Sequence, residues 1–245
     1  MNATRPVSLT VIIPALNEAP GIAATVRTTL SAFSGTRLIV VDGGSFDDTA
    51  EVAARAGAEV IASARGRGLQ LAAGARLAAT DWLLFLHADT TLPQNAALLV
   101  EDFVLRPQAR IATFRLRFDR AGWFLRWCCW FTRFDSVFTR FGDQGILVRR
   151  DFYDALGGFP AWPLFEDVAL LQRARRLARI ESLPAAVTTS ARRFNHRGDL
   201  SQQWLNARLL ARYLMGTPPE RLAEIYRSAA KPTRAAAEPA VPHPL

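Results

Sequence analysis

Leu83-Leu84-Phe85-Leu86 runs without a polar interruption into His87-Ala88-Asp89. This greasy run that stops at an acid constrains the fold more than any other stretch. Bulky apolar residues in an unbroken row predict a strand buried on both faces, as in parallel α/β sheets. Asp89 then stands at the carboxyl end of that strand, on the rim where open α/β sheets bind ligands. A carboxylate placed there can hold a divalent ion against a phosphate-bearing molecule.

Strand and helix signals alternate up to this point. Residues 8–14, 37–41 and 59–62 read as strands, and 20–33, 48–56 and 68–79 as helices, with Gly35 and Gly57 as stops. The alternation predicts an α/β fold: a mostly parallel, mixed sheet with helices on both faces. After Pro93 the rhythm changes. Residues 96–104 read as a helix, 111–118 as an alternating strand, 145–148 as a short apolar strand and 151–156 as a helical turn. Residues 165–179 read as a helix, and 180–183 as an edge strand ended by Pro184. C-terminal helices follow at 200–215 and after Thr217-Pro218-Pro219-Glu220, which has capping-box spacing. This organisation predicts a single domain over 1–228 in two halves, 8–93 and 94–228. The alanine- and proline-rich 229–245 reads as a disordered tail.

The chain has 245 residues and is half apolar, enough for a large core. No apolar run is long enough to span a membrane, and the N-terminus lacks a secretory pattern. Cys128 and Cys129 are adjacent and have no metal-ligand spacing, which suggests a reducing, cytoplasmic setting. The net charge of +8 is carried almost wholly by arginine. It favours phosphate groups without choosing among nucleotides, lipids and nucleic acid. No nucleic-acid motif appears, so nucleic acid is not an expected partner.

Three acids follow apolar strands: Glu18 in Pro14-Ala15-Leu16-Asn17-Glu18, Asp42 after Leu38-Ile39-Val40-Val41, and Asp89. Parallel strands bring these ends to one rim. Gly43 and Gly44 let a ligand approach the backbone, while Ser45, Asp47, Asp48 and Thr49 sit where helix caps belong. Together with His87-Ala88-Asp89, these segments resemble the family 2 glycosyltransferases over roughly residues 8–193. The resemblance implies the GT-A fold, which is Rossmann-like, and an inverting transfer from a nucleotide-activated sugar of UDP or GDP type. It assigns Asp42 to the base, and Pro14, Asn17, Glu18, Gly43, Ser45, His87 and Ala88 to the nucleotide-sugar pocket. It assigns Asp89 to a divalent metal, Mn²⁺ or Mg²⁺. His87 stands where the family's metal motif has its first acid, and an imidazole can still ligate Mn²⁺ or contact phosphate.

Arg65-Gly66-Arg67-Gly68 precedes a helix, and Arg67 is the candidate for the diphosphate. Phe165-Glu166-Asp167 opens another helix and resembles the family's Glu-Asp pair. Asp167 is then the general base toward an acceptor hydroxyl, with Glu166 beside it. Asp143 and Gln144, between glycines, are candidates for the acceptor, a small molecule or a lipid-linked one. Arg192, Arg193 and His196 follow in a loop that could close over the diphosphate, with His196 as a further metal ligand.

Residues 123–141 hold three tryptophans and five phenylalanines, with Arg126, Arg133 and Arg140 at seven-residue spacing. On a helix the arginines form one stripe. The pattern fits a peripheral contact with the cytoplasmic face of a membrane. It fits equally a helix packed on the sheet, or a dimer contact. Two other functional readings compete with transfer. A nucleotidyltransferase would carry a glycine-rich basic loop after the first strand, and Ala15-Leu16-Asn17-Glu18 is acidic without glycine. A noncatalytic, basic membrane or nucleic-acid binder on a degenerate transferase fold is the other.

Overall fold

A computed structural model describes residues 7–120, 122–190 and 199–230 of the protein. In chain order the elements are β1 (Leu9–Ala15), α1 (Ala19–Ala32), β2 (Arg37–Asp42), α2 (Thr49–Arg55), β3 (Glu59–Ala62), α3 (Arg67–Leu77), β4 (Trp82–Phe85) and β5 (Thr90–Thr91). Then come α4 (Ala96–Val104), β6 (Ile111–Phe118), α5 (Trp123–Phe131), a 3-10 turn (Gly142–Gln144), β7 (Ile146–Arg149) and α6 (Arg150–Ala155). The chain continues with α7 (Glu166–Leu177), β8 (Glu181–Thr189), α8 (Asp199–Leu214) and α9 (Pro219–Ala230).

The strands form one eight-stranded sheet in the order β3-β2-β1-β4-β7-β6-β8-β5. The β1–β2, β1–β4, β2–β3 and β6–β8 pairs are parallel, while β7 runs antiparallel to both its neighbours and β5 antiparallel to β8. The mixed, mostly parallel sheet expected from the strand–helix alternation is therefore present. Successive side chains of β1 leave on opposite faces. Val11 and Ile13 pack in one core with Ile22 and Val26 of α1, Ala53 of α2 and Phe103 of α4. Ile12 joins the other core with Leu71 and Ala75 of α3, Phe152 of α6 and Leu170 of α7. Two buried faces explain why the central strands read as unbroken apolar rows.

The register fixes the rim. Ala15 pairs with Asp42, and Ile12 with Phe85, so the carboxyl ends of β2, β1 and β4 lie side by side. Because β7 is antiparallel to β4, with Phe85 opposite Ile146, the chain just before β7 reaches the same rim. That stretch is the Gly142–Gln144 turn.

Four local expectations need correction. The β4 ladder stops at Phe85, so Asp89 lies in the turn between β4 and β5 and does not end the strand. The strand after α7 does not stop at Pro184: β8 continues to Thr189, next to β6. The register shifts between Thr113–Ser182 and Arg115–Ala186, so Pro184 falls in an irregular step where its missing N–H is tolerated. The aromatic segment is not one helix either. α5 ends at Phe131, and Arg140 turns inward, where it is almost fully buried, paired with Asp135 and bonded to the Thr113 hydroxyl and the Glu181 carbonyl. Finally, Asp48 makes no side-chain cap on α2. Asp47 takes that role, accepting the N–H and hydroxyl of Thr49. The proposed tail lies outside the described residues apart from the end of α9.

Candidate active site

The first wall of the site is two loops tied together by the motif residues themselves. The Asp42 carboxylate is buried and accepts the N–H groups of Gly44 and Ser45, each at 3.0 Å, and the Ser45 hydroxyl. Ser45 Oγ in turn accepts the Asn17 N–H at 2.9 Å, and Asn17 Oδ1 accepts the Phe46 N–H at 2.9 Å. Asn17 has φ 55, a left-handed conformation that asparagine tolerates better than most residues. The Glu18 N–H donates to Thr49 Oγ1 at 2.8 Å, and Asp47 Oδ2 accepts the Ala19 N–H. The ends of β1 and β2 are thus one hydrogen-bonded unit, with Pro14 half-buried in β1 opposite Val41.

Behind this wall stands α3. The buried Gln70 amide donates to the carbonyls of Ala15 and Val41, both at 2.8 Å, and so clamps the two strand ends. A side chain at Gly43 would meet that amide at 3.0 Å. Gly43 therefore makes room for the clamp, a role the sequence did not indicate.

One turn before Gln70, Arg67 links this wall to the second half of the molecule. Its Nε bonds Glu166 Oε1, and its Nη2 lies 4.0 Å from Asp167 Oδ1. The diphosphate candidate is thus engaged with the acidic pair. Burial opposes the charge on Arg67, but the attraction of Glu166 and Asp167 outweighs it and holds the guanidinium above its ordinary value. Burial likewise pushes the Glu166 carboxyl above its ordinary range, with Arg67 pulling it back and Asp167 adding to the rise. Glu166 is fully buried and its Oε2 has no hydrogen-bond partner. Gly68 permits the contact: a Cβ there would come within 2.2 Å of the Pro160 carbonyl and 3.2 Å of Glu166 Cβ.

Asp167 sits in the first turn of α7. Its Oδ2 accepts the Gly142 N–H at 2.6 Å and its Oδ1 the Val168 N–H at 2.8 Å. A Cβ on Gly142 would approach Asp167 Oδ2 to 3.0 Å, so glycine is required for this seat. Phe165 precedes the pair at φ 63, a strained conformation for a bulky residue and one that clusters at functional sites. Its ring lies 5.0 Å from that of Tyr213 on α8. Burial raises the Tyr213 phenol, and the Asp167 charge adds to that shift. Sequence reasoning did not single out Tyr213.

At the end of β4, the Ala88 carbonyl accepts the Thr25 hydroxyl at 2.7 Å, which fixes the turn to α1. Asp89 Oδ1 accepts the Thr189 hydroxyl at 3.3 Å, and Thr90 pairs with Thr189 across β5 and β8. His87 and Asp89 are both half-buried on this turn. An imidazole and a carboxylate are donors that suit Mn²⁺. Among the described residues no three metal-donating side chains come together. Arg192, Arg193 and His196 lie outside the described residues, shortly after Thr189.

The two acceptor candidates part company. Asp143 is half-buried beside the pair, and its charge helps hold Arg67 protonated. Gln144 does not face a cleft: it is fully buried, its amide donates to the Thr139 carbonyl at 2.6 Å, and its Oε1 accepts the Thr113 hydroxyl at 3.4 Å. It holds the chain before β7 in place.

The family model described as "Glycosyl transferase family 2" matches residues 10–155, more than half of the chain. Uncharacterized glycosyltransferases of Mycobacterium bovis and Mycobacterium tuberculosis are 40% identical over 87 residues, 35% of this chain and 38% of theirs. The match thus spans well under half the length of these relatives. Among solved structures, a mannosyltransferase from Pyrobaculum calidifontis in complex with GDP-Man and Mn²⁺ superposes with a TM-score of 0.65 at 20% identity, covering 93% of this chain and 70% of that one. Glucosyl-3-phosphoglycerate synthase from Mycobacterium tuberculosis, in complex with Mn²⁺, UDP and glucosyl-3-phosphoglycerate, gives 0.59 at 20% identity, covering 85% and 79%. S. aureus TarS in complex with UDP-GlcNAc gives 0.59 at 16%, covering 76% and 59%. The sheet order, the helices on both faces and these likenesses establish the GT-A fold, and the chain belongs to glycosyl transferase family 2.

Proposed function

We propose that the protein transfers a sugar from a nucleoside diphosphate sugar, of UDP or GDP type, to an acceptor hydroxyl with inversion at the anomeric carbon. One observation carries the reading: Arg67 and Gln70, one turn apart on α3, join the acidic pair at the head of α7 to the strand ends that bear Asp42 and Glu18.

In this reading the nucleoside lies along Pro14, Asn17, Glu18, Asp42, Gly43 and Ser45, with His87 and Ala88 nearer the diphosphate. Asp89 and His87 would hold Mn²⁺ or Mg²⁺, with His196 as a further candidate; the bound ion would offset the negative charge that develops on the departing diphosphate. The support is the donor chemistry of the turn and the metal named with the solved relatives. Asp167 accepts the proton of the acceptor hydroxyl as its oxygen attacks the anomeric carbon and the bond to the diphosphate oxygen breaks. The Gly142 and Val168 N–H groups fix that carboxylate in advance, which is where positioning contributes to rate. Glu166 is too deeply buried to touch substrate, and its part is to hold Arg67 in place. Asp143, half-buried just before β7, is the candidate for holding the acceptor. The adjacent Cys128 and Cys129 suit a reducing compartment, and we assign the reaction to the cytoplasm.

A screen of nucleotide sugars for donor hydrolysis, with and without Mn²⁺, tests the reading. One donor should be consumed. Asp167→Asn should abolish transfer and leave nucleoside diphosphate binding intact. Equal loss of both would remove Asp167 from the role of base.

A further inference from the structure

Several arginines among the described residues pair with acids. Arg37 pairs with Glu59, Arg106 with Asp102 and Glu181, Arg140 and Arg175 with Asp135, and Arg149 with Asp151. One region gathers arginines more densely. Between β6, β8 and α5 lies an open groove of about 900 Å³ whose walls include Arg115, Arg117, Arg120, Arg126 and Arg133, with Asp119 as the one acid among its described walls. The register explains part of the gathering. Arg115 lies opposite Ala186 and Arg117 opposite Thr188, so both guanidinium groups leave the same face of the sheet beside small neighbours. Arg126 and Arg133 approach from α5 and the turn after it. Among the described residues, Arg115, Arg117, Arg126 and Arg133 have no carboxylate within ion-pair distance. The Nε of Arg115 is buried there without an acceptor. Like charges brought together repel, and an anion in the groove would relieve them.

The edge of this groove is aromatic. Trp127, Trp130, Phe134 and Phe138 are 57%, 47%, 52% and 65% exposed. The first three form a connected ridge: Trp127 and Trp130 meet Phe131 edge-on at 4.8 and 5.2 Å, and Trp130 meets Phe134 at 5.2 Å. Arg133 lies 5.4 Å over the Trp130 ring. A ridge of large rings exposed to water is costly, and its rings are the kind that settle at a headgroup layer. Arginines beside it meet lipid phosphates at the same depth. No helix among the described residues is long and apolar enough to cross a membrane. Thr188 lines the groove, and the next residue on β8, Thr189, bonds Asp89.

We propose that the arginine groove and the α5 ridge form a docking surface for an anionic lipid bilayer, with lipid phosphates in the groove and the four rings at the headgroup level. Charge complementarity and the aromatic edge together select this occupant, and the proposal does not depend on which sugar is transferred.

Co-sedimentation of the full chain with phosphatidylglycerol–phosphatidylcholine vesicles, against pure phosphatidylcholine vesicles, tests it. Binding should require the anionic lipid and weaken as salt is raised. An arginine at an anionic surface contributes a factor of about five, so Arg126→Glu with Arg133→Glu should weaken binding roughly twentyfold or more. Trp127→Ala with Trp130→Ala should weaken it as well, and both variants should keep the wild-type circular dichroism spectrum and nucleotide binding. If charge reversal prevents folding, the salt dependence of the wild-type chain and the tryptophan variant decide. No binding to anionic vesicles overturns the proposal, as does binding indifferent to salt or to these four positions. So does binding that the tryptophan variant retains and that duplex DNA matches at equal phosphate concentration, which would make the groove a general polyanion site.

Discussion

Replacing Arg67 with methionine keeps most of the side chain's stem but removes the cation between Glu166 and Asp167. Glu166 is fully buried and bonds Arg67 through Oε1, so the loss leaves its carboxyl two courses. Remaining charged and unpaired in the interior costs about 3–5 kcal/mol. Taking up a proton is cheaper as pH falls. Each pH unit above an ordinary glutamate pKa of about 4.3 is worth about 1.4 kcal/mol, which sets a ceiling of about 3.7 kcal/mol at pH 7 and about 1 kcal/mol at pH 5. Burial already raises Glu166 in the wild-type chain, and without Arg67 it rises further. The folded variant then binds its proton more tightly than the unfolded chain. Stability is accordingly greatest below the ordinary carboxyl range and is lost as pH rises toward the raised value. Urea unfolding of the wild type, Arg67→Met and the double variant Arg67→Met/Glu166→Gln at pH 5, 6 and 7 measures this. We expect a deficit of about 3 kcal/mol in the single variant at pH 7 that shrinks to about 1 kcal/mol at pH 5. The double variant should recover most of it, with no such pH trend. A deficit below about 1 kcal/mol at pH 7, the worth of a surface pair, or one of equal size at all three pH values, would refute the buried-pair reasoning.

Two further substitutions test the seats of the site. Gln70→Ala withdraws the amide from the Ala15 and Val41 carbonyls, and thermal unfolding should show a loss of about 1–3 kcal/mol. Gly142→Ala puts a methyl group 3.0 Å from Asp167 Oδ2; the rate of transfer should fall on the order of a hundredfold in steady-state kinetics while calorimetry finds nucleotide affinity unchanged.

What the sequence made legible follows from range. The central strands were readable because Leu38 to Val41 and Leu83 to Leu86 are buried on both sheet faces, and burial on both sides leaves an unbroken apolar row. Asp42 was readable because it closes an apolar strand, whereas Glu18 and Asp89 lie beyond the ends of β1 and β4. Long-range pairing was not readable. Arg67 looked like a phosphate ligand because its acidic partner lies 99 residues away. Arg140 fell on a seven-residue stripe, yet Asp135, Thr113 and Glu181 draw it inward once the helix stops at Phe131. Gln144 sat between glycines as a loop residue would, but both ends of its amide group are used inside. Pro184 signalled a strand end, and an irregular step in the ladder absorbed it. The hydrogen-bonded unit of Asn17, Asp42, Ser45, Asp47 and Thr49 shows a further limit: residues of a binding motif also build the loops that carry them.

The most direct test of the account is calorimetric titration of UDP and GDP into the wild-type chain and Asp89→Asn, with and without Mn²⁺. We expect the wild type to bind one of the two, more tightly with Mn²⁺, and Asp89→Asn to lose the metal-dependent gain. Binding of neither nucleotide by a folded wild-type chain, or a Mn²⁺ effect that survives in Asp89→Asn, would contradict it.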